Sequence, residues 1–305
     1  MRAAEEQSAS RQGEGGAPSA SFPGLDQLLE SFLEEDVGTG DVTTDTLVPT
    51  ASRGVGRLRV KQPGVLAGLP VFARVFEKLD PGSRSTFLAS DGDAIAVGDI
   101  VCEIHAGTRA LLTGERTALN LVQRMSGIAT ATRRFVEAAA GGAGIYDTRK
   151  TTPGLRMLEK YAVVAGGGVN HRFALYDEAM IKNNHVDATG DGLADLIAKL
   201  RRERGEDFVI HAEARDEEEA FAAVRGGADV VMLDNMDVAR MTTLVEALRA
   251  QARELGREVS LEASGGVNLD TVAAIAGCGV DRVSVGALTH SAPALDLSFG
   301  IEVLS

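Results

Sequence analysis

From Gly144 to Ala287 the chain repeats one unit: a short apolar run that ends in polar or charged residues and leads into a helical pattern. The runs are GIYDTRK (144–150), EAMIKNN (178–184), DFVIHAE (207–213), DVVMLDN (229–235), VSLEASGG (259–266) and DRVSVGA (281–287). Helical patterns such as DEEEAFAAVRGG (216–227) and NLDTVAAIAGCG (268–279) lie between them, with Asp216 and Asn268 at N-cap positions and Gly226 and Gly279 at C-cap positions. Parallel strands need a crossover connection, so alternating strands and helices predict a parallel sheet. Polar residues gathered at the strand ends fit a (β/α) barrel, whose functional groups sit at the C-terminal mouth. Six strands fall short of eight, so the barrel is incomplete or irregular. An open doubly wound sheet is the alternative for the same units.

The preceding part, from about Phe22 to Gly127, reads as an α+β domain. LDQLLESFLEED (25–36) is an amphipathic helix, with Leu25, Leu28, Leu29, Phe32 and Leu33 at helical spacing. GVGRLRVKQPGVLAG (54–68) and DGDAIAVGDIVCEIHAG (91–107) alternate as strands do between Gly and Asp turns, and a long helix from roughly Leu112 to Ser126 closes this portion. The first 21 residues carry neither a helical pattern nor the apolar core of a signal peptide, and they read as a disordered tail.

Charge narrows the function. The chain has a formal net charge of -13, which argues against nucleic acid as a partner. Between Arg116 and Lys182 the sign reverses, with Lys and Arg at 116, 124, 133, 134, 149, 150, 156, 160, 172 and 182 against acids at 137, 147, 159, 177 and 178. A basic cleft in an acidic protein focuses an anionic small substrate. No run approaches the length of a membrane span. Two distant cysteines, Cys102 and Cys278, make neither a disulfide framework nor a zinc cluster, and a reducing cytoplasm is the expected compartment.

The strand ends deliver Arg149 and Lys150, then Lys182, Glu213, Asp234, Ser264 with Gly265 and Gly266, and finally Gly286. Glycine lets an oxyanion approach the backbone closely, so SGG (264–266) and VGA (285–287) suit a phosphate site after the last two strands, although each alone reads equally as a tight turn. Glu213 and Asp234 read as general acid/base groups, as hard-oxygen ligands for Mg²⁺, or as caps of the following helices; an adjacent phosphate favours the metal. Arg149, Lys150, His171, Arg172 and Lys182 are donors in a short span, Arg suited to bidentate carboxylate recognition and Lys to a phosphate. The Gly166–Gly168 run before Val169 looks like a flexible loop, since it lacks dinucleotide-fingerprint spacing. DVGTGDVTTD (36–45) lacks calcium-loop spacing and reads as a capped turn, while His105 and both cysteines read as structural.

At these residues the sequence resembles the quinolinate phosphoribosyltransferase (carboxylating nicotinate-nucleotide pyrophosphorylase) family. The motifs carrying the resemblance are EEDVGTGDVTT (34–44), ERTALNLVQRMSGIAT (115–130), DTRKTTPGLR (147–156), KYAVVAGGGVNHR (160–172), IKNNH (181–185), LDN (233–235), EASGG (262–266) and SVGALTHS (284–291), in order over nearly everything after the tail. The resemblance implies an N-terminal α/β sandwich over 22–127, rejoined by 291–305, packed on an incomplete α/β barrel over 128–290. It implies a homodimer or higher oligomer in which Arg116 is supplied across the interface. By the same resemblance, Arg116, Arg149, His171, Arg172 and Lys182 would hold the two carboxylates of quinolinate, Thr148 would also contact substrate, and Lys150, Lys182 and His290 would meet the phosphates of phosphoribosyl pyrophosphate. Glu213 and Asp234 would bind ribose hydroxyls and Mg²⁺, Ser264, Gly265 and Gly266 with Val285, Gly286 and Ala287 would cradle the 5′-phosphate, and no organic cofactor is needed. Lys150, Lys182, Glu213 and Asp234 are the expected catalytic groups. Two positions depart from the family pattern: His211 and Asn183 stand where acids are usual. The other activities left open are a non-decarboxylating pyridine phosphoribosyltransferase, a paralogue associated with molybdate handling, and a non-catalytic phosphometabolite-binding regulator.

Overall fold

The computed structural model of the protein describes residues 22–304, so the expected tail over 1–21 lies outside the described residues. The chain opens with α1 (Leu25–Val37) and α2 (Val42–Leu47), then β1 (Arg53–Val60), β2 (Gly64–Val65), α3 (Leu69–Leu79), β3 (Arg84–Phe87), β4 (Ala94–Ile95), β5 (Ile100–Gly107) and α4 (Thr108–Ala139). Leu25 and Leu29 of α1 are buried, and Leu28, Phe32 and Leu33 pack against the core from the same helix face. The 36–45 segment is the capped turn expected of it: Asp41 accepts a hydrogen bond from the Thr44 amide at 2.9 Å and starts α2.

Four strands form an antiparallel sheet in the order β12-β1-β5-β3, where β12 (Leu297–Leu304) is the last element of the chain. Its register runs from Arg53 opposite Leu304 to Val60 opposite Leu297. The last strand of the chain is thus joined to the first by a strand ladder. Phe72 and Phe76 of α3 pack their rings on Phe299 of β12, with centroids 5.4 and 5.2 Å apart.

The helix expected from roughly Leu112 to Ser126 is longer than the sequence suggests. It spans 32 residues from Thr108 to Ala139 and passes unbroken through Ser126 and Gly127. A Ser-Gly pair reads as a stop signal, yet here both residues serve packing. Ser126 is buried and its hydroxyl exchanges hydrogen bonds with the Ala67 amide and carbonyl at 3.0 and 3.1 Å. A Cβ on Gly127 would stand 2.0 Å from the Pro293 carbonyl oxygen, so only glycine lets that segment approach the helix.

The second half supplies β6 (Gly144–Tyr146), α5 (Arg156–Ala165), β7 (Ala179–Ile181), α6 (Asn183–Thr189), α7 (Leu193–Arg204), β8 (Ile210–Ala214), α8 (Glu217–Gly226), β9 (Val230–Asp234), α9 (Val238–Glu254), β10 (Ser260–Ser264), α10 (Val272–Ala276), β11 (Arg282–Ser284) and α11 (Ala287–His290). The six strands form one parallel sheet in the order β6-β11-β10-β9-β8-β7. Asp216 caps α8 as expected, though the C-cap is Gly227 rather than Gly226. Asn268 holds the turn before α10 by accepting from the Asp270 and Thr271 amides, and the cap after that helix is Gly277, two residues short of Gly279.

The edge strands β6 and β7 do not pair with each other, but the sheet is curled rather than flat. Val169 forms a parallel bridge to Tyr146 at the β6 edge. Two residues further on, the His171 ring lies 4.6 Å from the ring of His211 in β8 and its Nε2 is 3.4 Å from Glu262 in β10. Such reach across the sheet is available only inside an incomplete (β/α) barrel, which settles the choice against the open doubly wound sheet. The Gly166–Gly168 run is not the flexible loop expected: it ends α5 and packs on α4, where a Cβ on Gly166 would stand 2.5 Å from the Ala129 carbonyl oxygen.

Helix propensity and packing make opposite predictions for Gly127→Ala. Propensity alone favours alanine by about 1 kcal/mol, whereas the Pro293 approach makes the substitution destabilising by about 1–3 kcal/mol. A fall in the urea midpoint is expected, and a rise would show that the close approach is not needed.

Candidate active site

All six strands of the barrel contribute to one cavity of about 260 Å³. Thr148, Arg149 and Lys150 follow β6, Met180 and Lys182 come from β7 and its end, and Glu213 and Met232 from β8 and β9. Glu262 and Ser264 of β10, Ser284 of β11, and His171 with Arg172 complete the lining. Of the residues singled out from the sequence, the fold therefore brings Thr148, Arg149, Lys150, His171, Arg172, Lys182, Glu213 and Ser264 to a common wall. Four cations face two carboxylates there, a positive excess in an acidic protein.

The remaining sequence candidates stand around or away from that wall. Asp234 is half-buried at the end of β9, in register with Ser264. Gly265 and Gly266 both adopt left-handed backbone, with φ of 91° and 63°. A Cβ on Gly265 would meet Asn235 Oδ1 at 2.2 Å, so the turn is closed to any other residue. Gly286 and Ala287 begin α11, and a Cβ on Gly286 would stand 3.0 Å from Lys150 Cδ and 3.1 Å from His290 Nε2. Thr289 ties that short helix to the Lys150 carbonyl at 2.9 Å. Val285 is buried and its amide is engaged by the Tyr146 carbonyl at 2.9 Å. Arg116 is exposed on α4 and does not line the cavity within one chain.

Several donors in the cavity await a partner. Arg149 Nε is buried without a hydrogen-bond acceptor. Arg172 is mostly buried and gives one bond, from Nη1 to the Glu178 carbonyl at 3.0 Å. Burial, and then the neighbouring Arg149 charge, hold its guanidinium below the usual arginine range. Lys182 Nζ lies 3.7 Å from Glu213 Oε2, close enough to share charge but too far for a hydrogen bond. Two desolvated arginines with open donors suit an anion carrying more than one carboxylate.

Sequence reasoning missed the floor of this cavity. Glu262 is wholly buried, and neither carboxylate oxygen has a hydrogen-bond partner. Burial opposes its ionisation, yet the nearby His171 and His211 imidazoles and the Ser284 hydroxyl leave it below the usual carboxylate range. His211, also wholly buried, meets Glu178 Oε2 through Nε2 at 2.9 Å. Burial likewise opposes the Glu178 charge, and the His211 bond outweighs it, so that carboxyl is also lowered. The signal was present as charged or imidazole groups inside the apolar runs VIHAE and SLEAS, where a strand residue facing a barrel interior has to find a partner. His171, Glu178 and His211 place ligand-type atoms within 4.8 Å of one another. His171 Nδ1, however, accepts the Arg172 amide at 2.9 Å, so a neutral ring carries its proton on Nε2 and offers no lone pair towards Glu178.

Beneath the cationic wall, Asp147 and Lys160 form a buried ion pair at 2.5 Å. Asp147 Oδ1 also accepts the His171 amide at 2.8 Å, and Lys160 Nζ donates to the His171 carbonyl at 2.9 Å. The Asn170 amide, in the orientation its neighbours require, donates to Asp147 Oδ2 at 2.7 Å and to the Lys160 carbonyl at 3.0 Å. Lys160 is thus a fastening, not a substrate contact.

Comparison with known proteins agrees with this geometry. Residues 41–126 match the N-terminal domain, and residues 128–300 the C-terminal domain, of the family described as quinolinate phosphoribosyl transferase. A probable nicotinate-nucleotide pyrophosphorylase (carboxylating) of Bacillus subtilis is 42% identical over 280 residues, covering 92% of this chain and 94% of its own length. The nicotinate-nucleotide pyrophosphorylase (carboxylating) of Homo sapiens is 38% identical, with 90% of each chain covered. The crystal structure of NadC from Streptococcus pyogenes superposes with a TM-score of 0.88 at 38% identity, over 94% of this chain and all of that one. With one family's two domains matched in order and relatives covering nearly its full length, the chain belongs to the quinolinate phosphoribosyl transferase family.

Proposed function

We propose that this protein joins quinolinate to phosphoribosyl pyrophosphate and releases CO₂ and pyrophosphate, forming nicotinate mononucleotide for NAD biosynthesis. The single observation that carries the reading is the convergence of Arg149, Lys150, Arg172 and Lys182 on a cavity shared with Glu213. Arg149 and Arg172 hold the two carboxylates of quinolinate, with His171 and Thr148 beside them. Arg116 completes that clamp from a second copy of the chain, for which its exposed place on α4 leaves it free.

Lys150, with His290 across Gly286, faces the phosphates of the second substrate, and the amides of Gly265, Gly266, Gly286 and Ala287 receive the 5′-phosphate. The pyridine nitrogen attacks the anomeric carbon, the bond to the pyrophosphate oxygen breaks, and positive charge spreads over the ribosyl ring. Glu213 and Asp234, at neighbouring strand ends, stand where carboxylates stabilise that charge. Their hard oxygen donors also fit Mg²⁺, which when bound supplies positive charge for the departing pyrophosphate. The ring nitrogen is then cationic, so the electron pair left at C2 by CO₂ loss is stabilised before a proton replaces it. No organic cofactor enters this sequence. Among the described residues no helix is long and apolar enough to cross a membrane.

Mixing the protein with quinolinate, phosphoribosyl pyrophosphate and Mg²⁺ is expected to release CO₂ and nicotinate mononucleotide together. Nicotinate, with one carboxylate, leaves a buried arginine unpaired and is expected to be at least ~10⁴-fold poorer in kcat/KM. Comparable turnover of nicotinate would favour the non-decarboxylating alternative. Arg149→Ala removes charge-assisted bonds of roughly 1.5–3 kcal/mol each, so kcat/KM for quinolinate should fall by roughly 10- to 150-fold with the melting temperature retained. Unchanged kinetics would take Arg149 out of the site. Chelation of divalent ions is expected to abolish turnover and Mg²⁺ to restore it, and activity that survives chelation would remove the metal role from Glu213 and Asp234.

A further inference from the structure

The wall of the barrel is open between β6 and β7, and the segment Arg172–Glu178 lies in that opening. It has no strand or helix of its own. Local bonds shape it: the Asp177 carboxylate accepts the Phe173 and Ala174 amides at 2.5 and 3.0 Å, and Arg156 Nη1 reaches the Phe173 carbonyl at 3.2 Å. Those bonds fold the strap upon itself and onto α5. Its outer side chains, Leu175 and Tyr176, are 71% and 79% exposed and cannot anchor it through the core.

Among the described residues, one side-chain hydrogen bond ties the strap to a barrel strand beyond β7, into which it runs directly. Glu178 Oε2 meets His211 Nε2 at 2.9 Å, and His211 is fixed by complete burial in β8 and by the His171 ring, tilted against it at 4.6 Å. The same Glu178 offers its carbonyl to Arg172 Nη1 at 3.0 Å. One residue therefore links the guanidinium that faces the cavity to a rigid strand on the far side of the opening. We infer that the Glu178–His211 pair is a latch that holds the strap in the barrel opening and thereby positions Arg172 for a pyridine dicarboxylate. Neither residue touches the substrate in this arrangement: both act through Arg172, as positioning residues. The inference rests on the reaction proposed above.

The latch predicts a pattern that a general packing role would not produce. Glu178→Ala removes the anchor, and His211→Glu sets a second carboxylate against Glu178. In each variant the KM for quinolinate should rise roughly tenfold, the scale of one lost net hydrogen bond, with the KM for phosphoribosyl pyrophosphate changed less than about twofold. The double variant His211→Glu/Glu178→Gln restores a hydrogen bond of reversed polarity, from amide to carboxylate, and should recover most of the loss. Amide hydrogen exchange over residues 173–178, measured without substrate, should quicken in both single variants and slow again in the double variant. Wild-type KM in a folded single variant, unchanged exchange in the strap, or no recovery in the double variant would each overturn the latch. A uniform loss of kcat and melting temperature without the KM split would assign the pair to structure alone. Should the wild type fail to turn over quinolinate, the exchange pattern still decides the latch independently.

Discussion

The site depends first on the buried ion pair between Asp147 and Lys160. Placing two charges out of water costs several kcal/mol per ion unless both are fully hydrogen-bonded, and breaking such a pair costs roughly 3–5 kcal/mol. Here the compensation comes from the His171 amide and carbonyl and from Asn170. Those partners are not incidental. Asp147 immediately precedes Thr148, Arg149 and Lys150, and His171 immediately precedes Arg172. The network therefore welds the end of β6 to the segment that closes the barrel opening, and the cavity's cations inherit fixed positions from one buried pair.

The same packing divides the basic stretch that first marked the chain out. Lys160 is consumed by Asp147. Arg124 is held by Glu159 at 2.8 Å and by the Ala292 carbonyl at 2.9 Å. Arg133 donates to the Gly166 carbonyl at 3.0 Å, and Arg156 to Thr151 and the Phe173 carbonyl. Of the rest, Arg149, Lys150, Arg172 and Lys182 line the cavity, while Arg116 and Arg134 stand exposed on α4. Charge density along the sequence located the region, while the structural role of four of its ten cations came from contacts that no local count contains.

How far the sequence was legible follows the range of the interaction involved. The six strands and their order of delivery to the mouth were readable because apolar runs, caps and strand ends are local patterns. The long helix was misjudged because Gly127 answers to Pro293, more than a hundred residues away in the chain. What the sequence could not show was how these groups pair: His211 and Glu178 are 33 positions apart, and Glu262 meets His171 only after the sheet has curled. His211 stood out as a departure that removes an acid near the mouth. In the fold, that position faces a carboxylate supplied by Glu178, so the local charge is rearranged rather than simply lost.

The cavity's electrostatics then follow from its layering. Arg149 and Arg172 are close enough that burial and mutual repulsion weaken the hold of Arg172 on its proton, a cost already met in the folded protein. The unpartnered Arg149 Nε and the like charge beside Arg172 make the space between them a favourable place for an anion. Two further acids each face an imidazole: Glu262, wholly buried in the cavity lining, lies 3.4 Å from His171 Nε2, and the partly exposed Glu178 lies 2.9 Å from His211 Nε2. Without them four cations would sit over an apolar floor and repel one another outward. Pairing them with histidines balances part of the charge of the wall while the cavity keeps a positive excess.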